Sequence, residues 1–181
     1  MEAPIGKRSD FKRRANDFYE TFDPRAVAAL APHLLPGTRF VEPCAGKGVL
    51  MDQLTEQGHE LVWAGDIEPG RADVNKGDAL TLQLPGLSFE CFITTPPWTR
   101  QLLHPMIVNL SDQAPTWLLY DADWMHTRQA APFRNRLRRI VSVGRLRWMP
   151  GTTMDGKDNC AWYLFDRPSA NDSARFYGRA A

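Results

Sequence analysis

The sequence is short of the residues that build metal and disulfide chemistry. Its three cysteines, Cys44, Cys91 and Cys160, are odd in number and far apart. That excludes a zinc-ligand pattern and a secreted disulfide framework, and predicts a reducing, cytoplasmic setting. The four histidines, His33, His59, His104 and His126, are equally scattered, so no metal site is expected. Long apolar runs are absent. Nothing approaches the roughly 20 residues of a membrane span, and the first residues lack a signal-peptide apolar core. Excess charge is absent too: 22 Lys and Arg against 21 Asp and Glu leave a net charge of +1. No global field calls for a polyanion, so local clusters must carry any nucleic-acid binding. There are no internal repeats and no low-complexity tract. At 181 residues and 43% hydrophobic, the chain fits one domain with a real core.

What is present alternates. Asp23-Pro24 predicts a helix start, with aspartate at the N-cap and proline at the first helical position. Ala26, Val27, Leu30 and Leu34 give that helix its apolar face, and Pro36-Gly37 its stop. Arg39-Phe40-Val41 reads as a short strand, 49–54 as the body of a helix ending near Gly58, and 60–64 as a second strand. Residues 89–93 and 116–120 read as buried strands on either side of a helix over 100–112. A helix with a basic face is expected over 124–139. Two strands, near 140–148 and 160–165, then form a hairpin across a Gly/Asp/Lys-rich loop that reads either as a simple turn or as a substrate-facing flap. Strands alternating with helices predict an α/β, doubly wound, mostly parallel sheet, and the hairpin adds an antiparallel edge. Residues 1–17, with Lys7, Arg8, Lys12, Arg13 and Arg14, read as a flexible basic arm, 18–168 as the main domain and 169–181 as a C-terminal tail.

Ligands of such sheets bind beyond the carboxyl ends of the strands, and several segments fall there. Ala45-Gly46-Lys47-Gly48 lets backbone approach a ligand closely. It is neither a full dinucleotide fingerprint nor a phosphate loop, and alone it also fits a plain strand-to-helix turn. Asp66, at the end of the second strand, is placed to accept both hydroxyls of a ribose; alone it also fits a helix cap or surface turn. In Thr95-Pro96-Pro97-Trp98 the two prolines fix a rigid turn that aims backbone carbonyls outward. Trp98 offers a face on which a planar base stacks. By itself that tetrapeptide also fits a strand exit with a core tryptophan.

In this order, these segments resemble the class I S-adenosylmethionine-dependent methyltransferases. The specific likeness is to the amino-methyltransferases that modify exocyclic amines of DNA bases, N6 of adenine or N4 of cytosine. Tyr19-Glu20-Thr21 resembles the element that touches the methionine end of the donor, through Tyr19 and Thr21. Glu42, Pro43, Cys44, Ala45, Gly46 and Gly48 resemble the donor-binding turn. Asp66-Ile67-Glu68 resembles the ribose motif, with Ile67 against adenine, and Asp78 and Ala79 belong to the adenine motif. Thr95, Pro96, Pro97 and Trp98 resemble the catalytic motif. The resemblance covers roughly residues 18–166. It implies a Rossmann-like, seven-stranded sheet, S-adenosyl-L-methionine as cofactor, and DNA rather than RNA as partner. Thr95 departs from the pattern: adenine-modifying members usually carry Asn or Asp there. Members that modify cytosine often carry Ser, but more often run the motifs in reverse order. The target base stays open between the two, and weakened or lost activity is a further alternative.

Arg134, Arg136, Arg138, Arg139, Arg145 and Arg147 put six guanidiniums into fourteen residues, suited to phosphate contact or to a solvated helix face. Rival functions are N-methylation of RNA or of a protein glutamine amide, and a silent donor-binding or nucleic-acid-binding module. A nicotinamide-dependent oxidoreductase accounts for Asp66 but leaves the proline pair and Trp98 without a role.

Overall fold

Phe40 and Val41, Phe92 and Ile93, and Trp117 and Leu118 are neighbours in sequence, and each is almost wholly buried. Successive side chains of a strand point to opposite faces, so burial of both members requires a sheet covered on both sides. The computed structural model, which describes residues 20–170 and 173–179, has that architecture. β1 (Arg39–Glu42) lies between β2 (Glu60–Asp66) and β4 (Cys91–Thr94), with β3 (Asn75–Lys76) outside β2. β5 (Thr116–Asp121), β6 (Leu137–Arg145), β7 (Asn159–Phe165) and β8 (Arg175–Tyr177) complete a sheet of order β3-β2-β1-β4-β5-β7-β6-β8. β7 runs antiparallel to both its neighbours, β5 and β6. The strand order reverses at β1 and β4, which places the switch point where those two strands end.

One face packs Phe40, Ile93, Trp117 and Leu119 against α1 (Arg25–Leu30) and α2 (Val49–Glu56), which bury Val27, Leu30, Leu50, Met51 and Leu54. The other packs Val41, Phe92 and Leu118 under Leu103, Met106, Ile107 and Leu110 of α3 (Arg100–Ser111). These apolar positions recur at helical spacing, so each helix turns a single stripe to the sheet. Asp23 acts at the start of α1 as expected, its Oδ1 accepting from Arg25 N at 3.1 Å.

Several expectations are corrected. The basic helix over 124–139 is not formed: two 3-10 turns, Ala122–His126 and Arg128–Phe133, are followed by β6 from Leu137. Pro132 supplies no N–H to a helical ladder and disfavours helical backbone at Ala131. The next residues bury Leu137, Ile140, Val141 and Val143 along a strand. β4 begins at Cys91 rather than residue 89; Phe89 instead packs edge-on against Phe92, with ring centroids 4.9 Å apart. The doubly wound sheet carries an eighth strand, because residues 175–177, read as part of a tail, pair parallel with β6 (Ile140 beside Phe176). The basic arm and Tyr19 lie outside the described residues.

Candidate active site

The turn after β1 is built by backbone. Ala45 N donates to Gly65 O at 2.9 Å, and Gly46 O accepts from Gly70 N at 2.9 Å, drawing the turn across the end of β2. Gly48 opens α2 with φ +79, and a Cβ there would sit 2.6 Å from Met51 Cε. Only glycine fits that left-handed, crowded position. Asp66, 7% exposed, fastens the same turn: Oδ2 accepts from Gly46 N and Oδ1 from Glu68 N, both at 2.8 Å. A carboxylate has about four acceptor sites, so two lone pairs remain for other donors.

These contacts shape a cleft of about 260 Å³. Thr21, Glu42, Pro43, Cys44, Ala45, Gly46, Asp66, Ile67, Asp78, Ala79, Thr95 and Pro97 all line it. The donor-type segments and the first part of the proline turn, separated by up to 74 residues, thus share one space. Gly48, the buried Pro96 and the half-buried Trp98 do not line the cleft. Lys47, ion-paired to Glu20 at 2.6 Å, and Glu68, Leu102 and Met106 also line the cleft. Lys47 and Glu68 stand inside motifs already noted, whereas Leu102 and Met106 carry no signal in the sequence beyond helical spacing in α3.

Two features make the cleft a candidate binding site. Ile67 is 56% exposed, an apolar side chain left uncovered at the wall. Glu42 is 2% exposed, and its Oε2 has no hydrogen-bond partner among the described residues. Burial, and then the Asp66 and Asp52 carboxylates, hold its pKa well above the usual carboxylate range. A cationic ligand with a planar ring and vicinal hydroxyls meets each of these needs: a charge for Glu42, an apolar surface for Ile67, acceptors at Asp66. Burial likewise pushes the Cys44 thiol up, and its Sγ rests 3.8 Å from Met106 Sδ, so it is a neutral wall rather than a nucleophile.

At the far end, Thr95 Oγ1 and Thr21 Oγ1 are hydrogen-bonded at 2.7 Å, joining the segment before α1 to the proline turn. Trp98 is half-buried and meets Trp148 edge-to-face, centroids 5.7 Å apart at 89°. Trp148 follows β6. Its loop is tied down by Arg25, which bonds Asp155 Oδ1 at 2.7 Å, and by Gly156 N, which donates to Leu146 O at 2.8 Å.

The six arginines do not form one patch. β6 runs in the same direction as β5, since both are antiparallel to β7. Its amino end therefore lies at the sheet edge opposite the cleft, about 30 Å away along nine residues. There Arg136 is bound to Asp112 at 2.6 Å and Ser111 at 2.9 Å, and Arg138 to the carbonyls of Asn135 and Arg167. Arg134 and Arg139 belong to that end. Arg145, exposed, and Arg147, near Asp23 and Asp155, lie at the other end of β6, on the side of the sheet where β1 and β4 end. Among the described residues no group of three His, Cys, Asp or Glu is placed to hold a metal ion, and no helix is long and apolar enough to cross a membrane.

No family model matches the chain, and no curated relative does. Solved structures do match. The methyltransferase subunit of a type I restriction-modification system from Streptococcus thermophilus aligns with TM-score 0.56 and 9% identity, over 88% of this chain and 47% of that one. A dimethyladenosine transferase from Plasmodium falciparum gives 0.53 and 13%, over 80% and 60%. The 23S rRNA methyltransferase ErmE gives 0.53 and 17%, over 83% and 70%. At such identities the likeness defines the fold. The chain has the Rossmann-like fold of methyltransferases, here with an eight-stranded sheet and antiparallel β7.

Proposed function

We propose that this protein transfers a methyl group from S-adenosylmethionine to an exocyclic amine of a DNA base, N6 of adenine or N4 of cytosine. The observation that carries the reading is a shared wall: Thr95 and Pro97 line the cleft that Glu42, Asp66 and Ile67 also line. The donor, when bound, supplies an electrophilic methyl on a sulfonium. Glu42 would meet its ammonium, Asp66 its ribose hydroxyls, and Ile67 its adenine. The lone pair of an exocyclic amine is delocalised into its ring, so the protein's task is to orient that amine. Thr95 Oγ1 and the Pro96 carbonyl would accept its hydrogens, and Trp98, backed by Trp148, would stack the base. Arg145 and Arg147 are the arginines available to nearby phosphates.

The neighbours support a nucleic-acid substrate, since they include a restriction-modification methyltransferase subunit and an rRNA methyltransferase. The rRNA methyltransferase favours RNA as the second reading. Incubation with labelled donor and separate DNA, RNA and protein pools tests both. Label in DNA is expected; label in RNA alone would select the second reading, and label only in protein would sink both. Thr95→Asn is expected to raise activity on adenine relative to cytosine, read by mass spectrometry of digested nucleosides.

A further inference from the structure

The donor cleft leaves one large space unused. Beside Trp98, between α3 and the 3-10 turns that follow β5, lies a cavity of about 880 Å³. Five rings, Trp98, His104, Tyr120, Trp124 and Phe133, share its walls with polar residues that include Gln101, Asp121 and Gln129. The rings hold one another in place. Tyr120 meets Trp124 at 5.3 Å and 83°, and His104 meets Phe133 at 4.7 Å. Trp124 Nε1 donates to His104 Nε2 at 3.1 Å, so the ring proton of neutral His104 sits on Nδ1. Burial and then the Arg100 charge lower the His104 pKa, which keeps that ring neutral at pH 7.

Tyr120 is the telling residue. It is 1% exposed, stacked on Tyr163 at 4.4 Å, yet its hydroxyl has no hydrogen-bond partner among the described residues. A buried unpaired hydroxyl destabilises a fold, and persists most readily where a ligand completes it. Burial pushes this phenol well up, so it stays protonated and able to donate. Arg100, exposed in the first turn of α3, belongs to the same wall.

We propose that this cavity takes the base next to the target base in a single strand of nucleic acid. The inference rests on the base-methylation reading, and makes Trp98 the divider between target and neighbour. Flat aromatic walls suit any nucleobase, because each has a π-face. The Tyr120 hydroxyl and His104 Nδ1–H meet the ring nitrogens or carbonyls that every base carries, whereas a phenyl group would leave Tyr120 unpaired. Arg100 suits the phosphate between the two nucleotides. A base paired in a duplex cannot enter, so single-stranded or locally opened substrate is required.

The test measures binding, with S-adenosylhomocysteine present, by fluorescence anisotropy of thymine decamers carrying one central adenine or cytosine. An abasic unit replaces the thymine on one side of the centre or on the other. One of the two abasic positions is expected to weaken binding roughly tenfold, and Tyr120→Phe or Phe133→Ala to erase that difference. Thermal melts confirm that each variant is folded; Tyr120→Phe, a conservative change, stands if Phe133→Ala does not. Equal affinity of intact and abasic decamers, a difference that survives the variants, or no binding of any decamer would overturn the assignment. Turnover is read separately. Flank-dependent binding without methylation of DNA strikes at the proposed reaction, while methylation without flank dependence strikes at this cavity.

Discussion

The two sides of the Thr95–Trp98 turn are made from different materials. On the donor side, backbone sets the geometry: Gly48 at φ +79, and Asp66 clamped between two N–H groups. On the other side, side chains set it, through rings from α3, β5, β7 and the 3-10 turns that touch edge-on, tilted or stacked. Backbone built over short stretches gives a site of fixed shape, suited to one unchanging ligand. A pocket of interlocked rings changes shape whenever one ring is substituted, so it suits the partner that differs from one enzyme to another.

That contrast breaks down if the two sides do not respond separately. The largest expected effect is on the acceptor side. Trp98→Ala is expected to lower kcat/KM about 100-fold, the upper range for one lost base-stacking surface. Donor affinity by calorimetry is expected to change little; equal losses in both would make the tryptophan structural. Next comes the donor side. Glu42 lies above its unfolded pKa of 4.5, so its burial costs stability increasingly as pH rises above that value. Glu42→Gln is therefore expected to raise Tm at pH 7 while weakening S-adenosylmethionine binding about tenfold, the loss of one charge-assisted contact. A variant no more stable than the parent would show that the carboxyl is satisfied.

A smaller effect concerns the frame that holds Trp148. Burial raises the Asp23 pKa, but bonds from Arg25 and from Arg147 N outweigh it and bring the pKa down to about 2. The folded value lies below the unfolded 3.8, so this stabilisation is complete above pH 3.8 and is lost as pH falls through about 2. Asp23→Asn is expected to cost about 2 kcal/mol at pH 7. In denaturant titrations the gap from the parent should close between pH 4 and pH 2; a gap constant across that range would assign the loss to packing. Smallest is the charge comparison. Arg145→Ala is expected to reduce the salt dependence of DNA binding by about one ion, and Arg136→Ala, already bound to Asp112, to leave it unchanged. The reverse ranking would move the nucleic acid to the opposite edge of the sheet.

The same division governs what could be read in the sequence. Glu42, Asp66, Ile67 and Thr95 were legible because each follows directly from a strand end, where chain order fixes position. The strands β1, β2 and β5 were legible because their apolar residues stand in short runs between turn residues. The stretch 124–139 was not: its concentration of arginines reads as the basic face of a helix, while Pro132 interrupts a helical ladder and Leu137, Ile140, Val141 and Val143 are buried along a strand. The second cavity was hidden for another reason. His104, Tyr120 and Phe133 each look like ordinary core residues, and only the fold brings them together. Likewise β8 is three residues long and takes its stability from β6 rather than from its own pattern.

The hydrogen bond between Thr95 and Thr21 bears on the one residue that departs from its motif. A lone hydroxyl is an ambiguous neighbour for an amine, offering a proton as readily as a lone pair. With Thr95 as the donor to Thr21, its proton is committed and its oxygen faces the cleft with lone pairs alone, more electron-rich for having donated. With the roles reversed Thr95 keeps its own proton, so the polarity that this position shows an amine is set by which of the two hydroxyls donates.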